Sequence, residues 1–184
     1  MQLDLTVSAL DDKLDSIGYF EDFNSADKDT IIEVINYNLE VFGHEDLLKY
    51  YPGISLMSVL GDSFCIQDRG DYTELIHKLA SGSFSYFSPR YIEEHWLNNR
   101  IDISFQLNGI PYALVLDYDG YEQFDLELID TINHSLEEQK LPYKYYSPHV
   151  GWEKDFGYIF TTPAKYQLLC KEGLLPVADE DENC

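Results

Sequence analysis

The sequence predicts an α+β fold: an antiparallel sheet in a ββαββα-like C-terminal half, with a mostly helical N-terminal half packed against it. Three observations carry that expectation. Residues 101–107 and 110–116 alternate apolar and polar side chains on either side of Asn108-Gly109, a strong hairpin signal because both turn positions need a positive φ. Phe124, Leu128, Ile132 and Leu136 recur every fourth residue, which is the spacing of one helix face. The order strand, strand, helix, strand, strand, helix with short links then argues for an antiparallel sheet carrying helices on one face. The 184 residues are close to one domain's worth of chain, the prior being roughly 150 residues per domain. Residues 1–176 are therefore expected to form a single domain, with 1–100 its mostly helical part, 101–176 its hairpin-helix-strands-helix part, and 177–184 a solvated acidic tail.

From the N-terminus, Ser8 is positioned to cap a short helix through Ile17 that places Leu10, Leu14 and Ile17 on one side. Ser25 precedes a stronger helix with Ile31, Ile35, Leu39 and Phe42 at helical spacing, ended by Gly43. Residues 54–66 have no helical period and suit one or two strands. Asp71-x-x-Glu74 reads as a capping box opening a helix with Leu75, Ile76 and Leu79, which stops at Gly82. Ser88-Pro89 marks another helix start, since proline is tolerated at the first helical position. After the hairpin, a helix is expected over 123–138 and strands over 144–147 and 157–161. Thr162-Pro163 opens a last helix that Gly173 ends.

Against 34 Asp and Glu stand 12 Lys and Arg, a formal charge of −22, in a chain that is 45% hydrophobic and 15% aromatic. The apolar content excludes a disordered tail. The charge argues against direct nucleic-acid or membrane-surface binding, because phosphates and anionic lipids repel such a surface. It favours a basic protein as partner. The first twenty residues carry acids where a leader carries bases, and the uncharged stretch 103–116 is too short to span a bilayer. Cys65, Cys170 and Cys184 are odd in number and lack CxxC spacing, which fits reduced thiols and a cytoplasmic setting.

The acids are concentrated. No base occurs between Arg100 and Lys140, while Asp102, Asp117, Asp119, Glu122, Asp125, Glu127, Asp130, Glu137 and Glu138 do. Tyr118 and Tyr121 are interleaved with them. Tyrosines anchor interfaces and carboxylates steer and pair with Lys or Arg, so Asp117, Tyr118, Asp119, Tyr121, Glu122, Asp125, Glu127 and Asp130 are the candidate partner-binding residues.

The same stretch also carries a catalytic-looking pattern. The run into Asp117-Tyr118-Asp119-Gly120 resembles the first motif of haloacid-dehalogenase-type phosphatases and the DxD metal site of nucleotide-sugar transferases. Paired carboxylates at a strand end hold Mg²⁺ against a phosphate. Here, however, the strand closes a hairpin instead of opening a doubly wound sheet, and Tyr121 stands where the phosphatases need Thr or Val. The spacing and terminal Glu of a calcium loop are missing. His44, His77, His95, His134 and His149 show no HExxH or i,i+4 pairing. No catalytic residue, cofactor or metal is therefore expected.

The segments ISFQLNGIPYALVLDYDG, DLELIDTINHSLEEQ and YIFTTPAKYQLLCKEGLLP together resemble small acidic immunity proteins of bacterial polymorphic-toxin and contact-dependent growth inhibition systems. In those, a hairpin leads to an acidic strand end, a helix and an ending of the YxxxTxxQ/KxxxLxxxxLLP kind. The resemblance covers about residues 101–176. It implies a cytoplasmic protein that binds one cognate toxin domain, often a basic nuclease, in a one-to-one complex and covers its active site or substrate groove. Two other expectations stand beside it: a DNA-mimic inhibitor of another nucleic-acid-binding protein, and a metal-dependent phosphotransferase using Asp117 and Asp119.

Overall fold

The clearest local instruction, Asn108-Gly109, is obeyed: both residues have positive φ, +51° and +83°, and they join two eight-residue strands in register from Leu107↔Ile110 to Arg100↔Asp117. The computed structural model describes residues 7–21, 23–42, 51–57, 59–60, 66–118, 126–148 and 157–176. Among these the helices are α1 (Val7–Ser16), α2 (Ser25–Phe42), α3 (Asp71–Ser81), α4 (Glu127–Glu138) and α5 (Pro163–Lys171). The strands are β1 (Val59–Leu60), β2 (Arg90–Leu97), β3 (Arg100–Leu107), β4 (Ile110–Asp117), β5 (Lys144–Tyr146) and β6 (Gly157–Thr161). The protein is α+β.

The chain divides into two compact units, one of residues 1–60 and 146–184, the other of residues 61–145. Residues 61–100 thus share a unit with the hairpin and α4. The strands do not build one sheet: β2, β3 and β4 form an antiparallel sheet in that order, while β1 pairs with β6 elsewhere. The expected ββαββα-like half is not one packed arrangement: the hairpin and α4 belong to one unit and β6 with α5 to the other.

In the first unit, α2 begins with Asn24, whose side-chain oxygen accepts from the Asp27 amide at 2.9 Å while its amide donates to the Asp27 carboxylate at 2.7 Å. The cap is thus Asn24, one residue before the serine expected to mark the start. Helix α2 buries Ile31, Ile35 and Asn38. Asn38 donates to the carbonyls of Ser55 and Met57 at 2.7 and 2.8 Å, which ties α2 to a 3-10 turn at Pro52–Leu56. That turn occupies part of the stretch expected to be strand, and 61–65 lie outside the described residues. In α1, Leu10 and Leu14 are buried as expected, while Ser8 sits inside the helix and Ile17 beyond it. Strand β6 is buried throughout. Thr162 caps α5, its hydroxyl accepting from the Lys165 amide at 3.3 Å.

In the second unit, residues 88–97 correct a sequence expectation. Instead of a helix opening at Ser88-Pro89, the chain runs as β2, paired with β3 through a two-residue link from Leu97 to Arg100. The residue before a proline is pushed toward extended backbone, and Ile92, Glu94 and Trp96 alternate as the more covered positions. Helix α3 contacts β2 and α4 contacts β4, so both cover the face that carries Ile101, Ile103, Phe105, Leu107, Tyr112, Leu114 and Leu116, all buried. From α4 come Leu128, Ile129, Ile132 and Leu136. The helix begins at Glu127, and 119–125, with Phe124, lie outside the described residues. Burying these side chains is worth about 1.5–3 kcal/mol each relative to exposure.

Candidate functional site

Strand β4 ends at Asp117, whose side is set by alternation: Tyr112, Leu114 and Leu116 point into the core, so 113, 115 and 117 point to the open face of the sheet. Directly across on β3 is Arg100. Its guanidinium grips Asp102, with Nε 3.1 Å from one carboxylate oxygen and a terminal nitrogen 3.1 Å from the other. The stretch without bases along the chain is therefore bordered by a base in space. Tyr118 turns the other way. Its amide donates to the Asn99 carbonyl at 2.9 Å and its ring meets Trp96 edge-on at 4.8 Å, so it closes the end of the sheet.

Glu127 and Asp130 are exposed in the first turn of α4, where the positive end of the helix dipole favours carboxylates. The helix packs on the covered face of the sheet, so these two lie on the helix layer and Asp117 on the opposite side. The four described candidates do not share one setting: Asp117, Tyr118 and the Glu127–Asp130 pair occupy three. Asp119, Tyr121, Glu122 and Asp125 lie outside the described residues.

Both sides of this unit carry charges of both signs. On the helix layer α4 exposes Glu127, Asp130, Glu137 and Glu138. Lys144 reaches Glu137 at 3.3 Å, and on α3 Lys78 reaches Glu74 at 3.1 Å. The open sheet face carries Arg90, Glu93, Arg100, Asp102 and Asp117 and exposes Leu97 and Val115; Tyr91, on the edge strand β2, is exposed as well. A helix start at Ser88-Pro89 hides this face in the sequence; the alternation of Ile92, Glu94 and Trp96 is the signal that reveals the strand supplying Tyr91 and Leu97.

No family model, curated protein or solved structure matches the chain. Among the described residues no group of three or more His, Cys, Asp or Glu is placed to hold a metal ion, and no helix is long and apolar enough to cross a membrane. Cys170 is a buried thiol whose Sγ lies 3.9 Å from the Pro176 carbonyl oxygen; Cys65 and Cys184 lie outside the described residues.

A carboxylate of another kind was also missed. Asp71 does not cap α3; its side chain accepts from the amides of Gln67 and Asp68 at 2.8 Å each and so shapes the preceding turn. The α3 N-terminus is capped by Glu94 of β2, which accepts from the Gly70 and Thr73 amides and the Thr73 hydroxyl, each at 3.0 Å, and from the Trp96 indole. With every acceptor site engaged, Glu94 holds helix to strand and is not available to a partner.

Proposed function

We infer that this chain is a binding protein that neutralises a basic protein domain by covering the surface with which that domain holds an anionic substrate. The nearest description is a cytoplasmic immunity protein acting on a cognate nuclease toxin, as the resemblance of residues 101–176 implies. One observation carries the reading: a single helix, α4, offers Glu127, Asp130, Glu137 and Glu138 to solvent in a chain of net charge −22. A nuclease surface must be basic to hold phosphates, and an acidic partner is drawn to it at rates up to about 10⁸–10⁹ M⁻¹s⁻¹ at low salt, against about 10⁵–10⁶ without steering. The reading asks no chemistry of this chain.

The test is titration of the full chain against basic nuclease toxin domains, by calorimetry and stopped flow. A one-to-one complex that blocks nuclease activity is expected, with association slowing steeply as salt rises. Glu127→Lys combined with Asp130→Lys should cut the association rate tenfold or more. A complex that ignores both salt and these reversals would sink the acidic helix as the contact, and failure to inhibit any such domain would sink the function.

A further inference from the structure

We propose that the free edge of β4 takes up an extended, basic segment of the partner as a fourth strand of the β2–β3–β4 sheet. The proposal rests on the reading of this chain as a binder of a basic protein domain, and says how that domain docks. The hairpin fixes which backbone groups are free. Its two-residue turn closes on Leu107↔Ile110, and at the far end Tyr118 donates its amide to the Asn99 carbonyl. Ile110, Tyr112, Leu114 and Leu116 therefore turn their N–H and C=O groups toward β3, and residues 111, 113, 115 and 117 turn theirs away. Strand β4 ends the sheet, and among the described residues no main-chain group pairs with the outward groups of Ala113, Val115 and Asp117. Pro111, which has no N–H, stands at an outward position, where a strand tolerates it only at an edge.

The two edges of the sheet differ. Strand β2 is broken by the register irregularity between Arg90 and Glu93, a device that keeps an edge from pairing. Strand β4 holds unbroken register from Ile110 to Asp117 and carries no lysine. Ala113 and Val115 are exposed along it, Val115 by 56%. An edge left regular and apolar is a template for another strand.

The charge around the edge says which strand. Asn133 exchanges hydrogen bonds with the main chain of Tyr145, and the Tyr145 hydroxyl donates to the Leu79 carbonyl of α3, the helix that contacts β2. One flank of α4 thus faces α3. Helical spacing puts Glu127, Thr131 and Glu138 on the opposite flank, which borders the β4 edge. His134, 3.6 Å from Glu138, offsets that carboxylate only when protonated. Asp117 stands on the other side of the sheet. A strand laid along β4 alternates its side chains between these two sides, so lysines or arginines on one segment reach acids that the sheet separates. A second copy is the wrong occupant, because each chain carries −22 and would set this acidic edge against itself.

The probe is a capped peptide of alternating Lys and Val, matched in length to β4 and titrated into the full ¹⁵N-labelled chain near neutral pH. Amide hydrogen exchange is read residue by residue. The peptide should bind with Kd below about 1 mM and slow exchange at Ala113, Val115 and Asp117 tenfold or more. The same peptide N-methylated throughout keeps its charge and loses its N–H donors, and should bind at least tenfold more weakly. A Glu/Val peptide should not bind. The proposal is overturned by no binding, by equal binding of the methylated or acidic peptide, or by protection confined to other residues. It is also overturned if these amides become protected in the chain alone as its concentration rises, which would make a second copy the occupant. Failure here is distinct from failure of the function. A basic nuclease domain inhibited while these three amides stay unprotected removes the edge and leaves the function, whereas peptide pairing with no domain inhibited does the reverse.

Discussion

At the scale of single residues, a few polar side chains do the joining that apolar burial cannot direct. Glu94 satisfies the first amides of α3 from a neighbouring strand. Replacing it with Gln turns one acceptor into a donor facing donors, and leaving such groups unsatisfied costs about 1–3 kcal/mol. Urea unfolding of Glu94→Gln should show that loss, while Thr73→Ala, which removes one hydroxyl donor, should cost less. Tyr19 gives a second residue-scale prediction. Burial pushes its hydroxyl up to about 12 from the usual 10.0, only partly offset by a hydrogen bond with Thr161. The unfolded chain then releases this proton first, so the stability Tyr19 contributes is intact below pH 10 and is lost as pH rises toward 12. Tyr19→Phe should flatten that part of the alkaline decline in a series of urea midpoints. If the decline were the same in both proteins, the Tyr19 hydroxyl would not be its source. Neither role was legible in the sequence: the amides that Glu94 caps lie 21 and 24 positions away, and no local pattern announces a partner at that distance.

At the scale of elements, legibility followed how local the cause was. The hairpin, α4 from Glu127, β6 and α5 could be read because their signals are short-range: two positive φ values at Asn108-Gly109, a four-residue apolar repeat, a short run of aromatic and β-branched residues, and a Thr-Pro cap. Strand β2 could not, because Ser88-Pro89 opens helices and loops alike, and what decides between them is pairing with β3. Two glycines separate the local from the non-local in a measurable way. At Gly109 the φ of +83° disfavours a side chain, yet a Cβ there would meet nothing within 4 Å. Gly109→Ala should therefore cost about 1–2 kcal/mol, the left-handed penalty alone. At Gly53 a Cβ would sit 2.7 Å from the Leu174 carbonyl oxygen, which also accepts the Gly53 amide at 2.8 Å. Gly53→Ala must push that backbone contact apart, and its thermal destabilisation should exceed that of Gly109→Ala. The reverse order would mean that the Pro52–Leu56 turn yields easily.

At the scale of the whole molecule, the charge decides what conditions the fold prefers. Thirty-four acids against 12 bases repel one another more in the compact state than in the expanded one, and many ion pairs present are surface contacts of small worth, such as Lys13–Glu172 and Lys28–Asp15. Screening should therefore help more than it harms. The Debye length falls from about 30 Å at 0.01 M salt to about 8 Å at 0.15 M, which relieves repulsion between distant carboxylates while leaving contacts within 4 Å comparatively intact. The melting temperature should rise across that range, and it should rise less in a variant with Glu127→Lys and Asp130→Lys, since that variant begins with four fewer units of negative charge. A melting temperature that fell with added salt would show that the surface pairs outweigh the excess. The same variant then separates two uses of the charge. If partner association collapses while the fold becomes less salt-dependent, the carboxylates of α4 are held against the stability of the chain, which is what a surface kept for recognition requires.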